Sequence, residues 1–135
     1  MIAPRREKFR KQFRGKRRGL ATRGSVLAFG EVGIKSLGRG WMSANQIEAG
    51  RRAITNSLKR KGRTWVRVFP DKPITSRAAG QRMGSGKGEV SHHAAVVLPG
   101  RMIYEIAGVE KEVAQEALRK AGDKMPFKTK VVFRD

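Results

Sequence analysis

The stretch Gly84-Ser85-Gly86-Lys87-Gly88 comes nearest to a phosphate-handling loop. Glycines let backbone amides approach a phosphate closely, and the lysine supplies charge. Nucleotide hydrolysis asks for more: a glycine five places before the Gly-Lys pair and a hydroxyl directly after the lysine. Gln81 and Gly88 stand at those places, so the group that would hold magnesium is missing. Glu89 falls where a dinucleotide fingerprint needs its last glycine. What remains is a cationic, glycine-rich loop that can touch phosphate without acting on it.

His92 and His93 are adjacent, and in a strand their side chains point to opposite faces. That is poor geometry for two ligands of one metal, and no third ligand stands at a recognisable spacing. Strand packing or an RNA contact suits them better. Of the carboxylates Glu105, Glu110, Glu112, Glu116 and Asp123, most fall on a helix whose acidic face is expected to be solvated. There is no cysteine, hence no thiol nucleophile, thiolate metal site or disulfide framework. Nothing matches a nucleophile elbow with its acid and histidine. Neither catalysis nor a cofactor is expected.

Charge speaks more clearly. The 135 residues carry 31 Lys and Arg against 11 Asp and Glu, a formal net charge of +20. Up to Gly88 there are 23 cations and 4 acids; the rest of the chain is nearly balanced. Self-repulsion of this size opposes compaction, and a polyanion is its simplest compensation. Nucleic acid leads; an anionic membrane or an acidic protein would also satisfy the arithmetic.

The densest segment is 1–24, where Arg5, Arg6, Lys8, Arg10, Lys11, Arg14, Lys16, Arg17, Arg18 and Arg23 face the single acid Glu7. Phe9 and Phe13 sit among these cations, and Gly15, Gly19 and Gly24 interrupt any long helix. An arm that threads between phosphates is expected, its phenylalanines stacking or packing on an apolar surface. A second group, Arg51, Arg52, Lys59, Arg60, Lys61 and Arg63, accompanies a helix and its end. These cations exceed what the helix dipole requires, which favours phosphate contact. Trp41 could stack a base, but a lone tryptophan usually belongs to a core.

Elements must position these groups. Ser25–Phe29 and Val32–Leu37 read as a hairpin turning at Gly30-Glu31. Ser43 with Gln46 signals a capping box, after which Ile47, Gly50, Ile54 and Leu58 make a helical face and Gly62 a stop. Glu48 and Arg52 are spaced for an i, i+4 pair. Thr64–Phe69 alternates, with Trp65, Arg67 and Phe69 on one face, and ends at Pro70-Asp71-Lys72-Pro73. Residues 74–89 form a long glycine-rich loop. Val90–Leu98 and Arg101–Ala107 are strands joined at Pro99-Gly100, and Glu110–Ala121 is a helix with Val113, Ala117, Leu118 and Ala121 inward. Phe127–Phe133 is the last strand. The sum is a single α+β domain over 25–135, two helices packed on mainly antiparallel strands, with the basic arm 1–24 in front.

No apolar run is long enough to cross a bilayer, and no secretory signal or Ser-rich presequence opens the chain. A soluble, intracellular protein is expected, in the cytoplasm or in an organelle.

Two stretches carry a family resemblance. Lys59-Arg60-Lys61-Gly62-Arg63-Thr64-Trp65-Val66-Arg67-Val68-Phe69-Pro70, continuing into Asp71-Lys72-Pro73-Ile74-Thr75, resembles the first signature of the bacterial large-subunit ribosomal protein L-sixteen family. Arg82-Met83-Gly84-Ser85-Gly86-Lys87-Gly88 resembles the second. Pro4-Arg5-Arg6 through Lys8-Phe9-Arg10-Lys11, and Asn45-Gln46-Ile47-Glu48-Ala49, are similar as well. Thr64 replaces a usual aliphatic residue, and His92-His93 a usual aromatic pair.

The resemblance implies a hammerhead-like α+β fold and a late-joining structural constituent of the large subunit. Such a protein is embedded in ribosomal RNA beside neighbouring ribosomal proteins, with no membrane and no homo-oligomer. It implies that the arm threads into RNA. It further implies that the loop with Arg77, Arg82, Met83, Gly84, Gly86, Lys87 and Gly88 approaches A-site tRNA near the peptidyl-transferase centre, which is RNA. The alternative is a free-standing basic protein that compacts DNA or RNA, though no heptad or helix-turn-helix pattern supports it.

Overall fold

The computed structural model describes residues 2–80, 84 and 86–134. Residues 2–31 contain neither helix nor strand. Beyond them the order is β1 (Val32–Ser36), β2 (Gly40–Ser43), α1 (Ala44–Ser57), β3 (Arg63–Val66), β4 (Lys72–Ser76), β5 (Glu89–Val97), β6 (Met102–Ala107), α2 (Lys111–Gly122) and β7 (Thr129–Phe133). Two antiparallel sheets result, one ordered β3-β6-β1-β7 and the other β2-β5-β4. The helices pack on each other, α2 over β1 and β7, and α1 over β2 and β5. This is the expected single α+β domain.

Helix α1 begins as its sequence dictates. Ser43 Oγ accepts the Gln46 amide at 3.2 Å, and Gln46 Oε1 accepts the Ser43 amide at 2.9 Å, closing the capping box. Ile47, Gly50, Ile54 and Leu58 then face the core. Gly50 has a specific reason to be glycine: Tyr104 occupies the place of its Cβ, and the Tyr104 hydroxyl donates to the Ile47 carbonyl at 2.6 Å. Burial and the nearby Glu48 charge push that phenol well above its ordinary pKa, so it stays a donor.

Several expectations change. Ser25–Phe29 is no strand, because the amides of Ala28, Phe29 and Gly30 turn toward one carboxylate instead of a ladder. The strand expected to reach Phe69 ends at Val66; Phe69 lies exposed. Lys72-Pro73 is not a turn but the start of β4, which pairs with β5 from Lys72↔Ala94 to Ser76↔Glu89. The loop therefore shrinks to 77–88. Proline fits there because β4 is an edge strand.

The strands either side of Pro99-Gly100 belong to different sheets, so the turn carries the chain between layers. On α2, Ala114 is buried while Val113 is 41% exposed. Ala114, Ala117, Leu118 and Ala121 make the inner stripe, and their small side chains let the helix approach β1. No helix among the described residues is long and apolar enough to cross a membrane.

Candidate nucleic-acid interface

The arm keeps its charge outward. Arg5, Arg6, Lys8, Arg10, Lys11, Arg14, Lys16 and Arg18 are exposed, and Arg17 is half-buried. Phe9 and Phe13 are exposed too, Phe13 at 92%, so neither packs into the domain. Glu7 does not neutralise its neighbours; its carboxylate meets His93 Nε2 at 2.7 Å. His92, on the opposite face of β5, bonds Ser91 Oγ at 2.8 Å instead.

Body cations hold the arm by its main chain. Lys72 Nζ donates to the Phe13 carbonyl at 2.7 Å, Arg39 Nη1 to the Arg17 carbonyl at 2.9 Å, and Lys87 Nζ to the Gln12 carbonyl. Lys11 Nζ returns a bond to the Lys87 carbonyl at 3.2 Å. The arm and the glycine-rich loop thus meet at Lys87. Carbonyls accept these bonds, so every cation involved keeps its full charge.

Within the loop, Arg77, Gly84, Gly86 and Lys87 are exposed, and the Arg77 guanidinium donates to the Gly86 carbonyl at 2.7 Å. Gly88 closes the loop against β4; a Cβ there would lie 2.5 Å from the Ser76 carbonyl oxygen. The expected contributions of Arg82 and Met83 lie outside the described residues.

The α1 group divides in two. Arg51 and Arg52 both bond Glu48, the second at 3.3 Å. Hydrogen bonding from Arg51, opposed by burial and aided by both guanidinium charges, brings the Glu48 pKa from 4.5 to about 2. Their charge is partly spent within the helix. Lys59, Arg60, Lys61 and Arg63 are exposed and have no acidic partner among the described residues. Lys59 and Arg60 have φ of 52° and 63°, a left-handed backbone that long side chains rarely adopt. The strain turns a run of cations outward as the helix ends.

Three features were not legible as site components. Trp41 is not a core residue: Arg14, Arg17 and Lys72 lie 5.5, 4.8 and 5.7 Å from its ring. Lys72 was hidden in an apparent turn, and only its pairing in β4 turns it toward the arm. Glu105, grouped by sequence with solvated acids, is 0% exposed in β6 and accepts the amides of Ala28, Phe29 and Gly30, each at 2.9 Å, while Arg67 pairs with its other oxygen. Burial alone would raise its pKa; the Gly30 amide, Arg67 and the remaining donors outweigh that and hold it low. Next to this buried pair the surface carries Phe29 stacked on Trp65 at 5.9 Å, with Arg67 and Arg63 over their rings. The sequence signal available for Glu105 was its place in an otherwise apolar strand.

No group of described residues could hold a metal ion. Exposed guanidinium and ammonium groups on an irregular arm, a cationic glycine loop beside it and a two-sheet body make a surface that suits a polyanion. The family described as ribosomal protein L16p/L10e matches residues 4–132, and the chain belongs to that family. It is accordingly an RNA-binding ribosomal protein of the large subunit, acting in translation with ribosomal RNA and neighbouring ribosomal proteins as partners. The family is one of structural ribosomal proteins, not of enzymes.

Proposed function

We propose that this chain binds large-subunit ribosomal RNA through its arm and the exposed cations after α1, and presents the 77–88 loop toward A-site tRNA near the peptidyl-transferase centre. The observation that carries this reading is the junction at Lys87. Its side chain bonds the Gln12 carbonyl while its own carbonyl accepts from Lys11, so arm and loop share one side of the molecule. The arm's cations neutralise phosphates where RNA helices crowd, releasing counterions and fixing their placement. Folded RNA offers phosphate and ribose surfaces more readily than base edges, so recognition is by shape.

Sucrose-gradient sedimentation of a nuclease-free lysate tests the particle assignment. Stoichiometric migration with the large subunit at moderate salt is expected; migration at the top of the gradient or with DNA would overturn it. Deleting residues 1–20 should abolish incorporation. Arg82→Ala with Lys87→Ala should slow tRNA accommodation on the particles that form, and an unchanged accommodation rate would remove the loop from the mechanism.

A further inference from the structure

The outer face of the β2-β5-β4 sheet carries a cleft whose lining includes Gln12, Arg14, Trp41, Lys72, Ile74 and Lys87. Register explains how it is built. Trp41 pairs with Val96 and Lys72 with Ala94, and residues two apart on β5 share a face. Trp41 and Lys72 therefore flank β5 on one side, and arm residues 12–17 lie over them.

We propose that this cleft is a binding site for a single RNA phosphodiester, with Trp41 as its floor. The inference rests on the RNA-binding reading above and adds a particular place and chemistry to it. Arg14, Arg17 and Lys72 converge on one indole ring, yet none of them, nor Lys87, is paired with a carboxylate among the described residues. A cation–π contact at an exposed site is weak. Like charges gathered this closely repel by a comparable amount each. The ring alone does not offset that repulsion, and an anion bound among the cations would.

Two buried donors point the same way. Arg17 Nε and Trp41 Nε1 have no hydrogen-bond partner. A buried donor left without an acceptor is costly. Both orphans are donors, so the missing group is an acceptor, and the surrounding cations make it an anionic one. Lys72 and Lys87 now bond neutral carbonyls of the arm, at Phe13 and Gln12. A phosphate oxygen is a stronger acceptor for an ammonium than an amide carbonyl is. The phosphodiester therefore enters by displacing carbonyl contacts while the arm stays beside it. An adjoining base has the indole face on which to stack.

The chain has two tryptophans, so Trp65→Phe makes Trp41 the sole indole reporter. The full-length Trp65→Phe protein is titrated with a single-stranded uridine oligonucleotide, with inorganic phosphate and with an oligoglutamate of equal charge. Total RNA binding is followed in parallel by filter retention. The oligonucleotide should quench Trp41 emission. Lys72→Gln with Lys87→Gln should weaken that quenching about ten-fold at moderate salt and flatten its salt dependence. Lys111→Gln, whose ammonium lies over the Phe133 ring in the other sheet, should change neither.

Retention of RNA with silent Trp41 emission would overturn the cleft and leave RNA binding standing. Loss of both signals would overturn both. Quenching as strong with oligoglutamate, or saturation by inorganic phosphate alone, would also overturn the phosphodiester assignment. A circular dichroism spectrum unchanged by the double substitution separates lost binding from lost folding.

Discussion

The Arg67 guanidinium and the Glu105 carboxylate pair inside the domain, and the other oxygen of that carboxylate gathers the amides of Ala28, Phe29 and Gly30. One buried acid thus joins β6, the chain leaving β3 and the root of the arm. Arg67 also donates to the Val26 carbonyl at 3.2 Å, closing the same knot from the cation's side. The arm consequently leaves the body from a defined place, although it has no regular structure of its own.

Glu105→Gln should destabilise the protein by about 3–5 kcal/mol, since removing one partner strands a buried charge. Three amides and the Arg67 guanidinium would lose their anionic acceptor. Urea unfolding followed by circular dichroism measures this. A cost below about 1 kcal/mol would show that the carboxylate does not order residues 28–30.

Glu48 titrates below its ordinary value when folded, so its contribution is present above pH 4.5 and is lost as pH falls toward about 2. Glu48→Gln should flatten the stability curve across that window. The same substitution frees Arg51 and Arg52 and removes an acid from the cationic side. RNA affinity should rise by a few-fold at low salt. Parallel acid titrations and filter binding test the two halves separately.

Gly50→Ala sets two effects against each other. Helix propensity favours alanine by about 1 kcal/mol in a helix interior. Against that, the new Cβ would meet the Tyr104 ring, which is wholly buried and held by its bond to Ile47. Overpacking of this kind costs about 1–3 kcal/mol, so net destabilisation is expected. A raised melting temperature would mean that Tyr104 can move aside.

Arg60→Gly should separate stability from binding. Relieving the left-handed backbone at Arg60 should raise stability by roughly 0.5–1 kcal/mol. Loss of one exposed cation should lower the salt slope of RNA binding by about 0.7–0.9. Thermal melts and salt-dependent filter binding read the two quantities independently, and a loss of stability would show that the Arg60 side chain packs usefully.

Much of this was readable along the chain because it depends on neighbours in sequence. The capping box at Ser43 and Gln46, the buried face of α1, and the outward cations of the arm follow from spacing alone. The misplaced inner residue of α2 has a different origin. Helical periodicity locates a stripe, but which edge of it is covered depends on where β1 lies, and this decided for Ala114 over Val113.

By itself the sequence determined a strongly basic N-terminal segment, a cationic glycine-rich loop and a single α+β domain, because charge, glycine content and hydrophobic period are local properties. The tertiary structure alone decided what met across distance. Glu105 became a buried knot because three amides some 75 residues away turn toward it. Lys72 became part of an edge strand because β5 supplied its ladder, and Trp41 lies outside the core because its register opposite Val96 puts it on the outer face of the sheet, where arm cations cover its ring. Each of these depends on a partner remote in sequence, and a pattern read along the chain carries no record of which remote partner wins.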